Sequence, residues 1–230
     1  MGKDFVLLLG GHVFRGILSG DLSLVERTAE VVRRIVADGS KLAIVAGGSI
    51  TARRYIEAVE KVGGGKFLQD QAGILSTKLH ALILMSALGG IAFPKVVEDY
   101  EEAALAFSLG RIPVSGGMQP GQSTDAVAAL MAEKLGLDLL VKMTGVDGVY
   151  DRDPTEHRDA RRIEELSYDD LEHLLRDKSY HPGRYELLDA LSIKILRRSS
   201  ISTIILSGDV PEALLELMRG SRKGSLIRPR

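Results

Sequence analysis

The chain has no cysteine, which excludes disulfides and thiolate metal sites and suits a reducing compartment. It has no surplus of charge of either sign. Thirty Lys and Arg stand against 31 Asp and Glu, a formal net charge of −1, so nothing calls for nucleic acid and there is no acidic tail. No apolar run is long enough for a bilayer; the longest, Ala81 to Leu88, reads as a buried helix. The apolar start, Phe5 to Leu9, is too short for a signal-peptide core. Low-complexity segments, internal repeats and linkers are absent, and Gly63-Gly64-Gly65 is the most flexible point. Two common nucleotide signatures are also missing. Gly65-Lys66 is followed by Phe67, with Glu60 where a P-loop needs glycine, and no Gly-x-Gly-x-x-Gly follows the first strand. The expectation is a soluble cytoplasmic protein without nucleic-acid or membrane partners. Its 230 residues, 45% of them hydrophobic, allow a sizeable core.

What is present is an alternation of strands and helices. Phe5 to Leu9 and Leu42 to Ala46 are unbroken apolar runs, as buried parallel strands require. Arg111 to Ser115, Leu139 to Met143 and Ile201 to Leu206 are further strands. Helices are expected over Asp21 to Ala37, Thr51 to Val62, Asp70 to Leu88, Glu101 to Leu109, Ser123 to Leu135, Tyr168 to Arg176, Arg184 to Arg198 and Val210 to Met218. Ser49 or Thr51 caps the second of these. This order predicts an α/β fold, a three-layer α/β/α sandwich around a mainly parallel sheet.

Three strands end in glycine turns: Gly10-Gly11, Gly47-Gly48 and Gly116-Gly117. The last opens the loop Gly116-Gly117-Met118-Gln119-Pro120-Gly121-Gln122-Ser123-Thr124-Asp125, which runs into a helix. Strand, glycine loop and helix N-terminus form a ready anion site, because the first N–H groups of a helix lack partners and its dipole favours negative charge. Glycines there either permit tight turns alone or let the backbone approach a phosphate. Ligands of parallel α/β sheets lie beyond the carboxyl ends of the strands. The histidines His80, His157, His173 and His181 are scattered without ligand spacing, and no protein metal site is expected.

Three more segments join this loop: Gly47-Gly48-Ser49-Ile50-Thr51-Ala52-Arg53-Arg54, Thr144-Gly145-Val146-Asp147-Gly148-Val149-Tyr150-Asp151-Arg152-Asp153-Pro154, and Gly183-Arg184-Tyr185-Glu186-Leu187-Leu188-Asp189 running on to Lys194. In this order they resemble the amino acid kinase superfamily, and within it the UMP kinases of the archaeal type. The resemblance covers Phe5 to Pro229. It implies one amino acid kinase domain over residues 1–230, with an acceptor part over roughly 1–135 and an ATP part over roughly 136–230. It also implies phosphoryl transfer from ATP to UMP with Mg²⁺ accompanying ATP, a homohexamer, and UTP as feedback inhibitor. By position, Gly10, Gly11, Ser49, Arg53, Thr144, Tyr150 and Asp153 would surround ATP. Gly48, Asp70, Met118, Gln119, Pro120, Gly121, Gln122, Ser123 and Thr124 would hold UMP, Asp70 through the ribose. Asp125 and Asp189 match acidic positions near the reaction centre, and Arg53 offers a permanently charged fork for phosphate oxygens.

One departure stands out. Many members carry a strand-one lysine where this chain has Leu8, and a serine or lysine where it has His12. The missing cation is supplied either by Lys142, oddly placed in an apolar strand, or by His12. The alternatives to a UMP kinase are a kinase for another small acceptor and a non-catalytic nucleotide-binding or storage protein of the same fold.

Overall fold

The computed structural model describes residues 3–154, 157–176, 187–221 and 223–229. The expected lid around Ser179 to Arg184, His181 and the stretch Gly183 to Glu186 lie outside these residues.

Strand β1 (Phe5–Leu9) is followed by helix α1 (Ser23–Ala37), β2 (Leu42–Ala46), α2 (Ile50–Lys61), α3 (Lys66–Leu88), α4 (Tyr100–Ser108), β3 (Val114–Ser115) and α5 (Thr124–Leu135). The rest of the chain forms β4 (Leu139–Thr144), β5 (Val149–Tyr150), β6 (Arg162–Ile163), β7 (Glu165–Ser167), α6 (Tyr168–Arg176), α7 (Ala190–Arg198), β8 (Ser202–Ser207), α8 (Glu212–Met218) and β9 (Ser225–Arg228).

Seven strands make one sheet in the order β3-β2-β1-β4-β8-β9-β7, and β5 and β6 make a separate antiparallel pair. Within the large sheet only β8 and β9 pair antiparallel. The chain builds outward from β1 through β2 to β3, then returns to β1's other side with β4. That reversal between β1 and β4 is the switch point at which sheets of this kind bind ligands.

Both faces of the sheet are covered, so the strands are apolar on both sides. Phe5, Leu7 and Leu9 point into one core with residues of α1, α3 and α8. Val6 and Leu8 point into the other with residues of α5 and α7. The fold is the expected three-layer α/β/α arrangement.

Several boundaries differ from expectation. Helix α3 starts at Lys66 rather than Asp70, because Gly65 opens it directly after the glycine run. It is long and apolar enough by composition to cross a membrane. In the fold its inner face packs with α1, α2 and the sheet. Only Val114–Ser115 of the third expected strand pairs in a ladder, and Ile112 makes a lone bridge to Ala92. Helix α7 begins at Ala190, with Asp189 as its cap rather than a helical residue. The short strands β5, β6, β7 and β9 were not anticipated.

Candidate active site

The central parallel strands end at one edge, and their ladders run on into glycine turns. The Gly10 N–H donates to Met143 O, Gly47 N–H to Leu9 O and Gly208 N–H to Thr144 O, each at 2.7 Å. Gly208 after β8 is thus a fourth strand-end glycine, a pattern readable in Ser207-Gly208 but not picked out. Gly11 touches Gly48 backbone to backbone: a Cβ on Gly11 would lie 1.3 Å from the Gly48 carbonyl oxygen. The first two turns are therefore one packed unit, and glycine at position 11 is required by that approach.

Three helix N-termini point to this edge. Ser49 caps α2 by accepting from the Thr51 N–H at 3.1 Å. Ser123 caps α5 by accepting from the Ala126 N–H at 3.0 Å. Asp189 caps α7 through Oδ1, which accepts from Leu191 and Ser192 N–H at 2.8 and 3.1 Å. Its Oδ2 accepts from the Ser123 hydroxyl, so the starts of α5 and α7 are tied together. Converging N–H groups and dipoles suit a polyanion.

The loop of residues 118–124 is a defined turn rather than a slack segment. The Gln122 N–H donates to Gln119 O at 3.2 Å, and Gly121 has φ +79°. Pro120 and Gly121 are the central pair of a type II turn, which needs glycine second. Asp70 of α3 holds the turn by accepting from the Gly121 N–H at 2.8 Å. Met118 packs on the core beneath it, and Thr124 opens α5.

Lys142 is buried, 6% exposed, in a strand otherwise apolar up to Met143. It lies opposite Leu8 in the parallel register of β1 and β4. Its ammonium pairs with the Asp125 carboxylate in the first turn of α5. A buried lysine needs a partner, and the Asp125 carboxylate is that partner. His12 behaves differently. Burial, the dominant cause, pushes its pKa down, opposed by nearby Asp209 and reinforced by Arg15. The ring packs against Gly208. Of these two residues, Lys142 lies in register with Leu8 and holds an ion pair, whereas His12 lies on the turn after β1.

Arg53 is exposed on the first turn of α2 and makes no ion pair among the described residues. Thr144 closes β4. Tyr150 donates from its hydroxyl to Asp147 at 2.7 Å, and Arg162 pairs with the same carboxylate at 3.4 Å. Asp153 is fully buried. A pocket of about 300 Å³ lies beside Asp147, Arg162, Ser207 and Val210, next to the β5–β6 hairpin. Among the described residues no group of three or more His, Asp or Glu could hold a metal ion.

Sequence reasoning missed two residues of α3. Thr77 accepts from the Gly117 N–H at 2.8 Å, and His80 Nδ1 lies 2.8 Å from Gly47 O. Both sit in an apolar helix, and only their polarity at buried positions marks them.

The Amino acid kinase family model matches residues 5–207. A protein named uridylate kinase from Pyrobaculum calidifontis is 44% identical over 96% of this chain and 98% of its own length. One of the same name from Hyperthermus butylicus is 45% identical over 89% and 90%. The crystal structure of uridylate kinase from Archaeoglobus fulgidus superposes with TM-score 0.84 at 34% identity, covering 99% of this chain and all of that one.

Proposed function

The chain belongs to the amino acid kinase family, and we infer that it is a UMP kinase, transferring the γ-phosphoryl group of ATP to UMP to give UDP and ADP in pyrimidine nucleotide synthesis. Relatives named uridylate kinase match it over nearly its whole length. The observation that carries the reading to the site is the convergence of four glycine turns and three helix N-termini at the β1–β4 switch point. Phosphoryl transfer asks a protein mainly to align two phosphates and neutralise charge on the migrating group. The acceptor phosphate is already ionised at neutral pH, so no general base is needed.

In this reading the acceptor part takes UMP. Gly48, the turn Met118 to Thr124 and Asp70 hold it, and Asp70 keeps one carboxylate oxygen beyond the Gly121 bond for the ribose. The second part takes ATP, with Thr144, Tyr150 and Asp153 on its side and Gly10, Gly11, Ser49 and Arg53 along the phosphates. The division follows the sheet: β3, β2 and β1 on one side, β4, β8, β9 and β7 on the other. Lys142, fixed by Asp125 beside Leu8, supplies the cation that many relatives place on the first strand. Asp189 holds Ser123 and the starts of α5 and α7.

Magnesium, when bound, would neutralise the ATP phosphates. The residues fit a cation carried by the nucleotide's own oxygens, with Asp125 or Asp189 as the protein contact.

Homohexameric assembly fits the outer face of α3, where Leu68, Leu75, Leu79 and Leu82 are 46–60% exposed. Sedimentation tests it. Cytoplasmic location and inhibition by UTP rest on the resemblance, and a UTP titration checks the latter. A non-catalytic storage role drew its support only from Leu8, and in this reading Lys142 beside it makes good the missing cation.

A coupled ADP-release assay with UMP, CMP, GMP and AMP tests the function. Turnover with UMP well above the others is expected. Equal, negligible turnover with all four overturns the reading.

A further inference from the structure

Thr77 and His80 lie one turn apart on the inner face of α3, at 5% and 3% exposure. Each holds a different strand-end loop. The Thr77 hydroxyl donates to Ile74 O at 2.7 Å and accepts from the Gly117 N–H at 2.8 Å. The same side chain stands between two loops: a Cβ on Gly116 would meet its Oγ1 at 2.5 Å, and one on Gly48 would meet its Cγ2 at 3.7 Å.

His80 completes the arrangement on the β2 side. Nδ1 is 2.8 Å from the Gly47 carbonyl oxygen. A carbonyl only accepts, so Nδ1 carries the proton, and in the neutral ring Nε2 is the acceptor. Nε2 faces the Ser49 hydroxyl at 3.4 Å. Burial lowers the His80 pKa, which keeps the ring neutral. Phe14 stacks on it with centroids 4.5 Å apart and planes 5° from parallel. The polarity therefore runs one way: His80 donates to Gly47, Ser49 donates to His80, and Ser49 still accepts from Thr51. Seven residues before Thr77, two turns along the same helix, Asp70 accepts from Gly121.

We propose that Thr77 and His80 are positioning residues for the phosphate acceptor: α3 acts as a rail that fixes the spacing between the Gly47–Ser49 turn and the Gly116–Gly117 turn. The proposal rests on the UMP kinase reading for the identity of the acceptor. Neither side chain need touch substrate. Each holds a glycine backbone, which has no side chain of its own to fix it.

The test uses the full chain with Thr77→Val, Thr77→Ser and His80→Phe. Valine keeps the shape and removes the hydroxyl, serine keeps the hydroxyl, and phenylalanine keeps the stack on Phe14. Loss of one such buried bond is expected to raise KM for UMP about tenfold in Thr77→Val and His80→Phe. KM for ATP should stay within about twofold in Thr77→Val, whose bond is to the Gly117 turn, and Thr77→Ser should match the parent. A lowered Tm with unchanged KM for UMP would mean a merely structural role and overturn the proposal, as would equal rises in both KM values in Thr77→Val. A parent chain that fails to turn over UMP would sink the functional reading alone. The proposal would then be decided by amide exchange at Gly117, expected to be faster in Thr77→Val; unchanged exchange overturns it.

Discussion

Lys142 and Leu8 stand side by side in the parallel register of β4 and β1, facing the same layer of helices. Position 8 of β1 is apolar and buried, and the ammonium stands on the neighbouring strand. Asp125 at the start of α5 holds that ammonium. In-register residues of parallel strands share a face, so Lys142 lies on the same face of the sheet as Leu8.

Lys142→Met should therefore lower kcat by about 10²–10³-fold, the usual cost of losing a preorganised charge at developing transition-state charge. It also leaves Asp125 half-buried without its cation, so Tm should fall. The exchange double variant Leu8→Lys with Lys142→Leu should recover part of the lost kcat. Steady-state kinetics on the three chains decides it, and unchanged turnover in Lys142→Met removes the assigned role.

Gly11→Ala should abolish folding or activity, because its Cβ would lie 1.3 Å from the Gly48 carbonyl oxygen, and both partners are backbone. Gly90→Ala is the matched control: nothing lies within 4 Å of its Cβ, and its effect should stay within about 0.5 kcal/mol. Thermal melts and soluble yield of the two variants provide the comparison.

Asp189 separates capping from charge. Asp189→Ala removes the acceptor for Leu191 and Ser192 N–H and the partner of Ser123, and should cost about 1–2 kcal/mol of stability. Asp189→Asn keeps a capping oxygen and should keep most of that stability. If the carboxylate charge also serves the reaction, kcat falls in the Asn variant while Tm holds. Parallel melts and kinetics read the two effects apart.

Stability should fall in mild acid. His12 and His80 both have folded pKa values below the ordinary 6.5, chiefly through burial. Below that value the unfolded chain binds protons that the folded chain refuses, so stability is full above about pH 6.5 and declines as pH drops towards the folded values. Carboxylates such as Glu30, Glu98 and Glu212, lowered from 4.5 by their basic partners, add losses only at lower pH. His80→Phe should flatten the Tm-against-pH slope just below pH 6.5, and an unaltered slope would refute this assignment.

The central strands were legible because burial on two faces demands unbroken apolar runs, as in Phe5 to Leu9 and Leu42 to Ala46. Lys142 was legible for the opposite reason, as a charge where such a run should continue. The glycine turns announced the strand ends. The start of α3 was misplaced because Lys66-Phe67-Leu68-Gln69 follows three glycines and carries no clear period. Strands β7 and β9 have three and four residues, too few for alternation to register. The Ser123–Asp189 bond spans 66 residues of chain, and no local pattern encodes it. In the sequence His80 is one of several histidines scattered without ligand spacing, with nothing to mark it. Its bond to Gly47 depends on how α3 docks against the end of β2.

The strand that joins β8 to β7 is β9, inserted between them from the far end of the chain. During synthesis β1, β2 and β3 can zip together as soon as they emerge, whereas β7 waits for some sixty further residues before its neighbour exists. A nascent chain thus carries β1, β2 and β3 already paired while β7 still lacks its neighbour, and this edge of the sheet closes only when β9 emerges.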